Sequence, residues 1–161
     1  MKNAIFRATH STRSVNMSQE ISVSMERKGS VIDLDFASQA LGQVHVDTAE
    51  LPEDERAGHA KKLLGSSVLF CYVAALDKAL ATRACSYDTI RAQATVKAGS
   101  DDKGRGRIVG IRLDVDVLMD AEYEELFERV KKVMRNGCLI SASLEPAIPI
   151  EYNLNLVCPD D

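Results

Sequence analysis

Proline and glycine are scarce, four and nine in 161 residues, and no low-complexity stretch interrupts the chain. A disordered or linker-dominated protein is excluded by that composition. Positive charge is not in excess either: 20 Lys and Arg stand against 24 Asp and Glu, for a formal net charge of -4. A protein that binds nucleic acid must bring cations to the phosphates, so no nucleic-acid partner is expected. No apolar run reaches the roughly 18 residues of a membrane-spanning helix, and the opening "MKNAIFRATHSTRS" lacks the apolar stretch of a secretory signal. The expectation is a cytoplasmic protein with no membrane partner. Cysteine is sparse too, and Cys71, Cys85, Cys138 and Cys158 are read as free thiols in a reducing compartment rather than as a disulfide scaffold.

Several site signatures are missing as well. There is no C-x-x-C and no H-E-x-x-H, and His10, His45 and His59 are scattered, so no metal is expected. The absence of G-x-S-x-G removes a marked serine nucleophile. Without G-x-G-x-x-G at a strand-to-helix crossing, no dinucleotide or other cofactor is expected.

What is present is alternation and helical period. "ISVSM" alternates Ile21, Val23 and Met25 with serine, "IDLDF" alternates Ile32, Leu34 and Phe36 with aspartate, and "GQVHVD" supplies Val44 and Val46. These read as an antiparallel meander with one wet face. Residues 1–19 carry no dependable period, although "AIF" suits an edge strand. After the polar connection "AELPEDERAGH", a helix begins near Ala60. Its Leu63, Leu64, Val68, Leu69, Phe70, Val73, Leu76 and Leu80 cover much of the circumference, which predicts a helix buried on most sides, partly by a second subunit.

Ile90, Ala92, Ala94 and Val96 share one strand face, and Val109, Ile111, Leu113, Val115 and Val117 form an odd-numbered apolar row, with "GSDDKGRG" as the hairpin loop between them. Helical period returns over 121–135, with Leu126, Phe127, Val130, Val133 and Met134 inward, Asp120 as N-cap and "NG" at 136–137 as the stop. The closing strand "IEYNLNLV" turns Ile150, Tyr152, Leu154 and Leu156 inward. The sum is one α+β domain over 1–161, with antiparallel sheet and no regular βαβ alternation.

Cys71 sits in the middle of the buried helix. A cysteine there is a small hydrophobe in the core or a reactive thiol, and the poor helix formers Gly65, Ser66 and Ser67 one turn earlier point to close backbone approach or polar contacts. Cys138 follows Asn136 and Gly137 and precedes "LISASL". It packs in a connector, or it begins a helical turn whose free N–H groups favour a thiolate. Cys85 and Cys158 have no evident partner.

Three stretches, "LLGSSVLFCYVAAL", "NGCLISASL" and "PIEYNLNLV", resemble the OsmC/Ohr superfamily, the osmotically inducible and organic hydroperoxide resistance proteins. The resemblance spans about residues 20–157. It implies the OsmC-like fold, antiparallel sheets around a long central helix in an intertwined homodimer, with Cys71 as peroxidatic and Cys138 as resolving cysteine. The implied activity is a thiol-dependent peroxidase acting on organic hydroperoxides or hydrogen peroxide and recycled by an external dithiol or lipoyl reductant. A non-catalytic small-molecule-binding or stress-associated protein of the same fold is the alternative. Two positions depart from the family: Lys61 stands where the peroxidase branch has an acid that orients an arginine, and Leu139 stands where proline usually follows the second cysteine. Glu53, Asp54 or Glu55 are candidate replacements for the acid, and Arg7, Arg13, Arg27 and Arg56 are candidates for the arginine.

Overall fold

The computed structural model describes residues 19–159, in two compact units that divide between Arg56 and Ala57. The strand expected at "AIF" lies outside the described residues.

In the N-terminal unit β1 (Ser24–Lys28), β2 (Val31–Asp35) and β3 (Gln43–Asp47) form the expected antiparallel meander in the order β1-β2-β3. Alternation holds on β2 and β3, where Ile32, Leu34, Val44 and Val46 are half-buried. Asp33 and His45 face each other in register, with His45 Nδ1 2.6 Å from Asp33 Oδ1. The first strand differs from expectation, since it starts only at Ser24 and leaves all five of its residues exposed. Among the described residues it is the sheet edge, paired on one side only, and Met25 is left 65% exposed. A short 3-10 turn, Glu53–Glu55, closes this unit.

The C-terminal unit is built on α1 (His59–Ala81). Gly65, Val68, Tyr72, Leu76 and Leu80 are buried at three- and four-residue spacing, the single stripe of an amphipathic helix. Within one chain that stripe covers one flank only, short of the burial on most sides expected with a second subunit, and Phe70 remains 72% exposed. The reason is coverage: α1 packs on one strand, β4, and against two short helices, which reach only one flank. By length and composition α1 would qualify as a membrane span, yet its Val68, Tyr72, Leu76 and Leu80 belong to the protein core. Gly65 allows the helix to sit close, because a Cβ there would lie 3.1 Å from Val96 and 3.5 Å from Ala94. Ser66 returns its hydroxyl to the Lys62 carbonyl at 2.8 Å.

Antiparallel β4 (Thr89–Ser100) and β5 (Gly106–Leu118) form the expected hairpin. Ile111, Leu113, Val115 and Val117 are buried while Arg112, Asp114 and Asp116 lie on the other face. Val109 leaves the row and is 45% exposed. The pairing passes from Lys97 with Gly110 to Ala98 with Ile108, so Val109 is the extra residue of a bulge, without a partner on β4. β6 (Ile150–Val157) pairs with β5 in parallel, which antiparallel expectation missed. The return to the same end of the sheet is made by a 3-10 turn (Ala121–Tyr123), α2 (Glu124–Met134) and α3 (Leu139–Leu144).

Asp120 does cap, accepting from the Glu122 N–H at 3.0 Å, but it caps the 3-10 turn ahead of α2. Phe127, Val130 and Met134 are buried, while Val133, at the flank of the stripe, is 45% exposed. Each fully buried side chain here, such as Phe127, Leu76 or Leu113, contributes about 1.5–3 kcal/mol by leaving water.

Candidate active site: a thiol pair at the start of α3

Residues 135–138 turn the chain from α2 into α3. Gly137 adopts φ +69, which ends α2 in the left-handed region. Cys138 follows as the N-cap of α3, with extended backbone (φ -120, ψ 179). Its sulfur accepts from the Ser141 N–H at 3.5 Å, and the Ser141 hydroxyl accepts the Cys138 N–H at 2.8 Å. This is a capping box in which a cysteine takes the place of the usual serine or threonine. Ser141 is fully buried, and its Oγ lies 3.4 Å from Cys138 Sγ.

The structure brings Cys71 and Cys138 together. Cys71 is partly buried on α1, with its sulfur against the first turn of α3, where the backbone N–H groups of Leu139 and Ile140 act on it. Each of the two thiols acts on the other's ionisation, and they are not joined in a disulfide. Burial, together with donation to Cys138, pushes the Cys71 thiol up. Burial also opposes ionisation of Cys138. Donors from Cys71, the Ser141 hydroxyl and the N–H groups of Ser141 and Ile140 outweigh it and hold Cys138 below the ordinary thiol range. Of the two thiols, Cys138 is therefore the one its surroundings favour as a thiolate.

The remaining candidates are placed elsewhere. Cys85 is buried and its sulfur lies 3.8 Å from the Arg83 carbonyl, while Cys158 is exposed. Lys61 is exposed in a cleft with Gly58, Lys62 and Gln93. Ten residues before Cys71 on one helix, it stands about 15 Å away along the axis, too far to act on that thiol. Leu139 is 82% exposed at the first position of α3. That position tolerates proline because its N–H has no helical partner, and here leucine keeps an N–H that faces Cys71.

Of the carboxylates and arginines considered, Glu53, Asp54, Glu55, Arg27 and Arg56 belong to the N-terminal unit. There Arg27 donates to the Gly29 carbonyl and Arg56 to the Leu51 carbonyl. Arg7 and Arg13 lie outside the described residues. Among the described residues no group of three or more His, Cys, Asp or Glu side chains is gathered as a metal site.

Leu69, Phe70 and Val73 line a cleft of about 600 Å³ with Ile90 and Ala92. At 100° per residue, Leu69 and Val73 point away from Cys71 by about 160°, so those two side chains do not surround the thiol pair.

Sequence reasoning missed two tyrosines. Tyr72 and Tyr152 stack with ring centroids 5.1 Å apart and planes 17° from parallel. Burial, followed by the neighbouring Tyr152, pushes Tyr72 up to about 12, and burial pushes Tyr152 up to about 12 with Glu145 adding to it. Tyr152 read only as an inward residue of a strand. The period that marked its direction carried no sign of the hydroxyl's partner.

Comparison with known proteins agrees with this architecture. The OsmC-like protein family profile matches residues 52–153, well over half of the chain. An OsmC-like protein from Mycoplasma pneumoniae superimposes with a TM-score of 0.68 at 16% identity, over 88% of this chain and 99% of that one. The organic hydroperoxide resistance protein OhrB of Bacillus subtilis gives 0.60 at 17% identity, over 84% and 98%. An organic hydroperoxide resistance protein from Elizabethkingia anophelis gives 0.62 at 13% identity, over 88% and 99%. No curated protein matches the sequence. With the profile covering most of the C-terminal unit and the mixed α+β architecture shared with these structures, the chain belongs to the OsmC-like family.

Proposed function

We propose that this protein is a thiol-dependent peroxidase that reduces organic hydroperoxides, and hydrogen peroxide less selectively, with Cys71 and Cys138 as its redox pair. The observation that carries the reading is the convergence of two free thiols from distant parts of the chain, one of them held below the ordinary thiol range by the start of α3. Cys71 is the more exposed of the two, so peroxide meets it first. Its proton passes to Cys138, and the Cys71 sulfur attacks the peroxide oxygen. The O–O bond breaks, the alkoxide leaves and takes a proton from solvent to become the alcohol, and Cys71 becomes the sulfenic acid. The Cys138 sulfur then displaces the hydroxyl as water, which takes up the proton held by Cys138, and a disulfide forms. An external dithiol or lipoyl group reopens that disulfide by exchange.

The same reading makes the protein a cytoplasmic homodimer. Ser67 and Ala74, one turn to either side of Cys71, are exposed, as is Phe70 beyond them, so a second copy laid on α1 would wall the site and cover its apolar flank. Organic hydroperoxides suit such a wall better than hydrogen peroxide does. Consumption of cumene hydroperoxide and hydrogen peroxide with dithiothreitol or a lipoyl donor tests the activity, and absence of turnover with every donor would reject it.

One observation favours the alternative of a non-catalytic small-molecule-binding or stress-associated protein. Among the described residues of the C-terminal unit, no arginine or carboxylate acts on Cys71. The same peroxide assay separates the two readings.

A further inference from the structure

The hydrogen bonds around Cys138 continue past Ser141. Ser141 is the one fully buried polar side chain among the described residues. Over the bare Cα of Gly137 its hydroxyl meets the phenol of Tyr152: a Cβ at that position would collide with both oxygens. Ser141 there eases ionisation of the Tyr152 phenol, against the effect of burial. The Tyr152 hydroxyl donates in turn to Glu145 Oε1 at 2.8 Å, and Glu145 is exposed. Stacking on Tyr72 fixes the Tyr152 ring beside the residue that follows Cys71. A chain of polar atoms thus runs from the Cys138 sulfur to the surface.

We propose that Ser141, Tyr152 and Glu145 form a proton path between the buried sulfur of Cys138 and solvent. The inference rests on the peroxidase reading, because the reductive half of that chemistry returns Cys138 as a thiol whose proton must be released. In the oxidative half, one thiol, one thiolate, one hydroperoxide and one proton yield a disulfide, an alcohol and water. In the reductive half, an external dithiol is oxidised, and the pair regains one thiol and one thiolate while a proton is released. Cys138 is only 7% exposed, so direct exchange with bulk water is restricted.

In the outward direction the Cys138 S–H gives its proton to Ser141 Oγ. Ser141 passes its own hydrogen to Tyr152 Oη, and Tyr152 passes its hydrogen to the Glu145 carboxylate. Three bonds to hydrogen break and three form, and no charge remains on either hydroxyl. Inward transfer runs the same exchange in reverse with the hydroxyls turned. The high pKa of Tyr152 suits a group that relays without resting as a phenolate.

The titratable groups facing this path are Cys71 and Tyr72 from α1, Glu145 just past α3, and Asp114 of β5, Lys131 of α2 and Arg135 just past it, which line a cleft with both tyrosines. Lys131 is engaged with Glu128 at 2.9 Å. Glu145 alone combines exposure with a bond to the Tyr152 hydroxyl, which makes it the exit. Tyr152 and Glu145 act through Ser141 and are positioning residues.

The test compares the full-length protein with Tyr152→Phe, which keeps the stacked ring, and Glu145→Gln, which keeps an acceptor oxygen at an exposed position. Reduced protein is mixed with cumene hydroperoxide, then with dithiothreitol, and the Cys71–Cys138 disulfide is followed by acid quench and mass mapping. Both variants should melt like the unsubstituted protein and cycle at least about tenfold more slowly. Added imidazole, a soluble proton carrier, should restore most of the rate to Tyr152→Phe and leave the unsubstituted protein unchanged. Variants that cycle at full rate, or that are slowed without imidazole restoring them, overturn the path while the peroxidase reading stands. An unsubstituted protein that forms no disulfide overturns the peroxidase reading and the path with it.

Discussion

Replacing Gly137 with alanine tests how the thiol pair is built. The backbone there has φ +69, which costs a residue with a side chain about 1–2 kcal/mol. The new Cβ would also meet the Ser141 hydroxyl and lie 2.5 Å from Tyr152 Oη, so both must retreat. Retreat of Ser141 dismantles the box around Cys138, and a helix cap is worth about 0.5–2 kcal/mol. The expected loss is therefore about 1.5–4 kcal/mol. Gly104→Ala is the control, since Gly104 has φ +73 with nothing within 4 Å of an added Cβ, and it should lose only the backbone cost. Urea unfolding of the two variants measures the difference, and the pH dependence of Cys138 alkylation reports the site. Gly137→Ala should move Cys138 back toward the ordinary thiol range. Equal losses in the two variants, with Cys138 as acidic as before, would refute the claim that Gly137 exists for those two hydroxyls.

Thiolate absorbance during a pH titration should show one ionisation below the ordinary thiol range and one above it, and Cys138→Ser should abolish the low one; its persistence would reassign the charge. The folded-state pKa of Cys138 is depressed, so its contribution to stability is present above the unfolded thiol pKa and lost as pH falls through the folded value. That of Cys71 is raised, so its contribution is full below the unfolded pKa and lost as pH rises through the folded value. Denaturation across this range, compared with the Cys71→Ser, Cys138→Ser double variant, should show an excess stability that falls away on both sides. Leu139→Pro should fold within about 1 kcal/mol of the parent because the position is the first of a helix. It should raise Cys71 further by removing one N–H, and an unchanged Cys71 titration would show that this donor is idle. Phe70→Glu should raise the dimer dissociation constant at least about tenfold in sedimentation, whereas a parent protein that is monomeric at every concentration would remove the partner altogether.

The sequence carried the direction of side chains better than their company. Odd-numbered residues from Ile111 to Val117 are buried as their period demanded, and α1 begins one residue before the expected Ala60. Val109 failed because a bulge consumes one residue on β5, and nothing in an apolar alternation announces a bulge. The parallel pairing of β6 failed for a related reason: period fixes which face a strand buries but not which way it runs beside its neighbour. At the site, the poor helix formers before Cys71 correctly pointed to close approach, met by Gly65 on β4. The helical turn expected after Cys138 is α3. That the two cysteines touch was reachable only through family resemblance, because no spacing within the chain encodes a contact made by packing α3 on α1. Which of the two carries the charge depends on Ser141 and on backbone N–H groups, whose aim is set by tertiary structure.

The central claim is that Cys71 takes the peroxide oxygen and Cys138 closes the disulfide. Peptide mapping after one equivalent of cumene hydroperoxide, with a sulfenic-acid trap present, tests it in the unsubstituted protein and in Cys71→Ser and Cys138→Ser. The account predicts a disulfide between Cys71 and Cys138 within one subunit of the unsubstituted protein, a trapped or overoxidised Cys71 when Cys138 is replaced, no sulfenic acid when Cys71 is replaced, and Cys85 and Cys158 reduced throughout. A sulfenic acid on Cys138 in the Cys71→Ser variant, or a disulfide between Cys138 and Cys158 with Cys71 still reduced, would contradict it.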